Sequence, residues 1–322
     1  MLFDLATPVG LAAALLLDGF IGDPRWLWSR VPHPVVLLGA AIGWADRKLN
    51  RRDETSRRMR GVLVLVGAIV ASGGLGYAIA MLTEATTWGW LPEALIAFSL
   101  IAQRDLHDHV GQVARALRRD GLEGGRRAVS QIVGRDPDAL DGPGVCRAAI
   151  ESCAENFSDG VIAPVFWYLL LGLPGLTIYK AVNTLDSMIG HKTDHYRAFG
   201  WASARFDDLL NLVPARLSGL IVVVAAAIMQ GADPRDALRA MLRDARHHKS
   251  PNAGWPEAAF AGALGIAIAG PRRYHGEVVR DAWMGNGRAQ CTPQDIDATL
   301  RLYVNACVLW GIASICLLAW TL

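Results

Sequence analysis

Carboxylates, amides and basic side chains fall into five tight clusters along this chain, each beside an apolar stretch. The densest runs Arg205-Phe206-Asp207-Asp208-Leu209-Leu210-Asn211 and is closed by Pro214 and Arg216. On a helix, Asn211 lies four residues from Asp207 and three from Asp208, so the three share one side. Adjacent carboxylates plus an amide oxygen are the hard ligands Mg²⁺ prefers, and that ion commonly shares its shell with substrate phosphates. Arg205 and Arg216 suit those phosphates. A second cluster, Tyr179-Lys180 with Asn183, Asp186, Gly190, His191 and Lys192, puts Lys180, Asn183 and Asp186 along one helical side. A lysine beside an amide and a carboxylate fits a phosphate or nucleotide better than lipid, although snorkelling alone would explain Lys180.

The other three clusters are less specific. Arg135-Asp136-Pro137 is followed by Arg147, Glu151 and Glu155, spaced four apart on one helix face, and then by Asn156 and Asp159. Such a stripe is usually a solvated ladder of ion pairs, but here it directly precedes apolar residues 161–178. Near the start, Asp18, Asp23 and His33, the last boxed between Pro32 and Pro34, could hold a cation or an amine, or simply form a charged turn. Ser250-Pro251-Asn252 with Gly254, Trp255, Pro256 and Glu257 makes a rigid polar loop, as compatible with a plain turn as with binding through Asn252 and Glu257. The five cysteines show no C-x-x-C spacing, which argues against a zinc site or a disulfide framework.

The segments that must carry these groups are membrane-like. Of 322 residues, 52% are hydrophobic and only 19% charged, against about a quarter charged in soluble domains. The net charge of +2 gives no sign of a nucleic-acid partner. Residues 61–82 and 302–322 are apolar over roughly the 20 residues a spanning helix needs, and a Thr292-x-x-Asp295 capping box precedes the second. Residues 5–21 and 88–102 read as further spans, the latter interrupted by Glu93 and running on as an amphipathic helix towards Arg119. Residues 161–178, 217–229 and 256–269 are short or re-entrant, and the polar loops 103–160, 180–216 and 230–256 carry most of the clusters.

The fold class is therefore all-α: a single polytopic integral membrane domain with broken helices and cytoplasmic polar loops. Seven Lys or Arg between residues 47 and 60 place that loop in the cytoplasm. Gly172-Leu173-Pro174-Gly175 splits the 161–178 stretch, which predicts a re-entrant hairpin with arms 161–171 and from 176 onward. An ionisable group beside such segments is costly unless it faces a cavity or partner, which makes each cluster a site hypothesis.

At these residues the chain resembles the adenosylcobinamide-phosphate synthase family. The resemblance rests on RDPDALDGPGVCRAAIESCAENFSDGVIAPVFW (135–167), YKAVNTLDSMIGHK (179–192), FDDLLNLVPARL (206–217) and SPNAGWPEAA (250–259), with DGFIGDP (18–24) and HPVVLLG (33–39) before them. It implies an inner-membrane enzyme of vitamin B12 assembly. Such an enzyme joins the propionate of a corrinoid, adenosylcobyric acid, to (R)-1-amino-2-propanol or its O-phosphate, with ATP consumed and Mg²⁺ expected. Other cobalamin-assembly enzymes are possible partners.

Residue chemistry suggests the division of labour. A carboxylate needs activation, so ATP would convert it to an acyl phosphate that the amine attacks. Asp207, Asp208 and Asn211 would serve Mg²⁺. Arg135, Lys180, Lys192, Arg205 and Arg216 would clamp phosphate. Glu151, Glu155, Asp159 and Asp186 would bind the amine and take its proton, with His191 or His33 as alternatives. Asp18, Asp23, Asp136, Arg147, Asn156, Asn183, Asn252 and Glu257 complete the binding candidates. A transporter would also place polar residues in broken helices. A Mg²⁺-dependent prenyl- or phosphotransferase would use Asp207-Asp208 together with a second acidic motif, which the chain lacks.

Overall fold

The computed structural model describes residues 7–84, 86–133, 137–274, 277–279 and 281–321. Its helices in chain order are α1 (Pro8–Ile21), α2 (Arg25–Trp28), α3 (Pro34–Leu49), α4 (Glu54–Glu84), α5 (Trp90–Leu100), α6 (Gln103–Val129), α7 (Gly142–Phe157), α8 (Ala163–Ile189), α9 (Trp201–Leu210), α10 (Leu212–Ile228), α11 (Pro234–Asp244), α12 (Gly254–Ala263) and α13 (Pro293–Thr321). A π-helical turn, Ser158–Ile162, follows α7. Two small antiparallel ribbons complete the fold: β1 (Ile268–Ala269) pairs with β4 (Trp283–Met284), and β2 (Arg272–Tyr274) with β3 (Glu277–Val279).

The protein is an α-helical membrane protein. Glu54–Glu84 and Pro293–Trp320 have the length and mean hydropathy, 2.2 and 2.0, of spanning helices. Only 17% of the apolar part of α4 is buried, so most of its face is left for lipid. Gly142–Ile189 also qualifies, with a backbone break at Gly172, and Trp201–Leu210 with Leu212–Ile228 adds a further span if the two pieces act as one. At the further spans expected near 5–21 and 88–102, α1 and α5 are short. At about 1.5 Å per residue, eleven residues of α5 reach roughly 16 Å, half of the hydrocarbon. Nor does α5 run on towards Arg119: Ile101 is extended and α6 starts afresh at Gln103. Residues 256–269 belong to α12, buried throughout most of its length, and to β1.

No linker composition marks it, but the chain divides into two compact units. The first comprises Met1–Ala102, Ala163–Asn211 and Ala313–Leu322; the second comprises Gln103–Ile162 and Leu212–Ile312.

In the first unit α4 and α8 pack closely because α4 offers glycines. A Cβ at Gly61 would collide with the Phe199 carbonyl, and one at Gly76 with Thr177 and Pro174, the small-residue solution for helices in lipid. Ile42, Leu65, Val182, Leu185, Ile189, Phe199 and Ala202 form the core that fixes the end of α8 against α9. Glu93, the charge inside an apolar run, is buried and satisfied. Its carboxylate accepts from the Thr7 hydroxyl (2.7 Å) and from the Tyr168 hydroxyl.

The stretch read as a hairpin contains a kink. The break falls at Gly172 alone (φ 63°, ψ −151°), and the helix resumes at once, with Pro174 in its first turn instead of in a loop. Proline is tolerated there because first-turn N–H groups have no intrahelical acceptor. The kink is tight: a Cβ on Gly175 would collide with the Trp167 carbonyl, eight residues back, whereas eight residues of straight helix span about 12 Å.

In the second unit Phe157, Phe260 and Tyr303 meet edge to face, with ring centroids 6.0 and 5.5 Å apart, and the Tyr303 hydroxyl donates to the Gln103 carbonyl (2.8 Å). Asp295 closes the predicted cap of α13 by accepting the Thr292 N–H at 2.7 Å. Asp233 caps α11 through the N–H groups of Arg235 and Asp236, and those bonds hold its carboxyl below the usual range.

Candidate active site

Two sequence clusters converge in the first unit. The end of α8 brings Asn183 and Asp186 against Asp207 of α9, and the same carboxylate faces Asp208 and Asn211 on its own helix. His191, in the loop after α8, faces Asp186, while Lys192 and Arg205 face Asp208. The Arg205 Nη1 stands 3.5 Å from Asp208 Oδ2. Three carboxylates therefore lie near two exposed cations, a histidine and two amides. Lys180 lies one turn earlier on α8 and is half-buried.

Asp207 is the focus. It is only 7% exposed and Asn211 only 1%. Asn211 Nδ2 donates to Asp207 Oδ2 at 3.0 Å, and its own Oδ1 accepts from the Tyr179 hydroxyl at 3.0 Å. Asn183 stands beside the carboxylate, yet no donor reaches Asp207 Oδ1 in hydrogen-bond geometry. A buried carboxylate oxygen left in this state, with two more carboxylates near, suits a cation. Among the described residues, no group of three or more His, Cys, Asp or Glu is arranged to hold a metal. Mg²⁺ does not need one, since it keeps several waters and binds through one or two carboxylates plus phosphate. A Cβ at Gly190 would collide with the Asp186 carboxylate, so glycine there keeps the approach to the site open.

Residues to which the sequence assigned no role hold the site in place. Tyr179 orients Asn211, and Trp167, on the other side of the Gly172 kink, donates to the Leu210 carbonyl at 3.2 Å. The loop bearing His191 and Lys192 is latched to the α3–α4 turn. Asn50 Nδ2 donates to the His195 carbonyl (3.0 Å), and Arg57 donates to the carbonyls of Asp194 (3.0 Å) and His195. Burial, then the Asp46 carboxylate to which its hydroxyl donates, pushes the Tyr196 phenol above its ordinary range. The basic stretch 47–60 had a visible use only as a topology signal; its side-chain role depends on contacts some 140 residues away.

Other predicted residues have local duties. Asp18 is 2% exposed within α1. Asp23 accepts from Trp28 Nε1 (3.2 Å) and lies 3.6 Å from His33 Nε2, while His33 Nδ1 caps α3 by accepting from Val35 N–H. In the second unit, Glu151 Oε1 accepts the N–H of Ala269 at 2.9 Å, securing β1 where Ala269 has a φ of +61°. Arg147 donates to the Ala289 carbonyl and lies over the Trp283 ring; Arg216 donates to the Leu212 carbonyl and lies over Trp255. Asn156 donates back to the Ser152 carbonyl, Glu155 is exposed, and Asp159 sits on the π-helical turn. Ser250 Oγ accepts the N–H groups of Asn252 and Ala253, so that segment forms a turn entering α12. There Glu257 Oε1 lies 3.7 Å from His248 Nε2. Arg135 and Asp136 lie outside the described residues.

Comparison with known proteins gives the arrangement a context. The family described as CobD/Cbib protein matches residues 11–303. Proteins described as "Cobalamin biosynthesis protein CobD" are similar along nearly the whole chain. The one from Sinorhizobium sp is 54% identical over 302 residues, covering 92% of this chain and 94% of its own. That from Brucella suis biovar 1 is 53% identical, with 91% of each covered, and that from Rhodobacter capsulatus is 47% identical, with 92% of each covered. No solved structure matches. With the family's match running from α1 into α13 and through both polar clusters of the site, the chain belongs to the CobD/Cbib family.

Proposed function

We propose that this protein acts in cobalamin biosynthesis as an ATP-dependent amide ligase. It joins (R)-1-amino-2-propanol or its O-phosphate to the propionate of adenosylcobyric acid, through an acyl phosphate, giving adenosylcobinamide or its phosphate. The observation that carries this reading is the gathering of Asn183, Asp186, Asp207, Asp208 and Asn211 beside Lys192 and Arg205, in a chain of this family. Activating a carboxylate with ATP needs cation-binding carboxylates and phosphate-binding cations side by side.

The residues fit Mg²⁺: Asp207, with its undonated Oδ1, and Asp208 would hold it, and Asn211 would orient Asp207. When bound, the ion would offset negative charge on the nucleotide phosphates. Lys192 and Arg205, with Lys180 nearby, would pair with phosphate oxygens as charge builds on them. The propionate oxygen attacks the terminal phosphorus and ADP leaves. The amine then attacks the acyl carbon, phosphate leaves, and the ammonium proton passes to a base. Asp186, with His191 near it, is our assignment for that base. Arg147, Arg216 and Glu151 are engaged in packing and hydrogen bonds of their own unit, which favours Lys192 and Arg205 over Arg216 as the phosphate clamp.

A cytoplasmic site at the inner membrane is part of the proposal, and the latch supports it. The loop carrying His191 and Lys192 is bonded to Asn50 and Arg57, within the most basic stretch of the chain. The positive-inside tendency favours the cytoplasm for that stretch, and ATP is available there. The test is direct. Purified protein in detergent, given adenosylcobyric acid, ATP, Mg²⁺ and each aminopropanol form, should yield an amide and release phosphate. Folded protein that makes no amide with either amine would overturn the proposal.

A further inference from the structure

The second unit contains a cavity of 750 Å³ that the proposed chemistry does not use, lined by residues of α6, α13 and the end of α10. Its lining divides into two halves. Ile228 and Met229 end the apolar stretch of α10, and Leu300 and Val304 belong to α13, which turns apolar after Arg301. His107, Arg115, Asp297 and Arg301 supply a polar half. Two apolar helices therefore change from lipid-like to water-like sequence around the same hollow, which sets it at the level of the membrane interface.

Charge decides what the hollow selects. Asp297 is engaged by the guanidinium of Arg118, and His107 Nδ1 is 3.1 Å from Asp108 Oδ1. Arg115 donates to the Asp108 carbonyl at 3.2 Å, and among the described residues neither Arg115 nor Arg301 has a carboxylate partner. Two guanidinium groups are left facing the cavity without counter-charge, above an apolar floor. A basic pocket between membrane helices is the arrangement that takes a phosphate-bearing lipid headgroup. We propose that this cavity binds one anionic phospholipid, its phosphate between Arg115 and Arg301 and its acyl chains along Ile228 and Val304.

The full chain would be purified in mild detergent, mixed with equimolar phosphatidylglycerol and phosphatidylcholine, and observed by native mass spectrometry. Retention of phosphatidylglycerol should exceed that of phosphatidylcholine by about twenty-five-fold, roughly fivefold for each of the two arginines near the headgroup. The Arg115→Ala/Arg301→Ala double variant should lose the preference, with amide formation unchanged. Should that variant fail to fold, Arg301→Gln alone should reduce the preference about fivefold. Glycerol 3-phosphate at the lipid's concentration should not displace it. Equal retention of the two lipids, an undiminished preference in the variants, or displacement by glycerol 3-phosphate would each overturn the proposal.

Discussion

Asp207→Asn is expected to reduce amide formation by roughly 10²–10³-fold, the scale seen when one preorganised electrostatic group is removed from an active site, and to leave the protein folded. The substitution keeps the shape of the side chain and removes a negative charge that faces Asp186 and Asp208. Thermal stability without ligand should therefore hold or rise, because like charges in a part-buried setting repel. The response to nucleotide separates a site residue from a structural one. In the wild-type protein, MgATP at a hundred times its Kd should stabilise the fold by about 2.7 kcal/mol, and in the variant that gain should vanish. Asp208→Ala should follow the same pattern more weakly, since Asp208 is less buried and already has Arg205 and Lys192. Near-normal turnover of Asp207→Asn at saturating Mg²⁺ would return the carboxylate to a packing role.

Gly172→Ala should destabilise the kink in α8. The φ of 63° and ψ of −151° fall in a region open essentially to glycine, and forcing an alanine there costs about 1–3 kcal/mol. The cost falls at the kink that lets Tyr179 on one side and Trp167 on the other both reach the end of α9. Activity should decline together with the melting midpoint in detergent. Gly67→Ala supplies the contrast: nothing lies within 4 Å of its Cβ position, in the middle of α4. That change should be neutral or mildly stabilising, because alanine is the better helix former. Equal midpoints for the two variants would contradict a strained kink at Gly172.

Much of this was legible in the residues. The apolar runs of α4 and α13, the Thr292–Asp295 cap and the glycine break in α8 all depend on local pattern, and local pattern survives folding. The α8 and α9 clusters could each be seen, with their spacing, but not their meeting, which depends on the core of Leu185, Ile189 and Phe199 that sets one helix end against the other. Tyr179 was named within its cluster but given no role, because a tyrosine in an apolar helix reads as core until its hydroxyl partner is known. Glu93 misled in the other direction: a lone carboxylate in an apolar run suggested an interrupted span, when Thr7 and Tyr168 satisfy it in a short buried helix. Glu151 and Arg147 shared the spacing of a catalytic stripe, and their partners, Ala269 and Ala289, sit more than a hundred residues later on irregular backbone that no periodicity foretells.

The central claim, activation of a carboxylate by ATP at the α8–α9 carboxylates, is tested most directly by following oxygen. Adenosylcobyric acid carrying ¹⁸O in both propionate oxygens would be turned over with ATP, Mg²⁺ and the aminopropanol. An acyl phosphate route keeps one labelled oxygen in the amide carbonyl and delivers the other to inorganic phosphate, so each amide formed should be matched by one singly labelled phosphate. Amide formed alongside unlabelled phosphate, with the second oxygen recovered in AMP or water, would contradict the account.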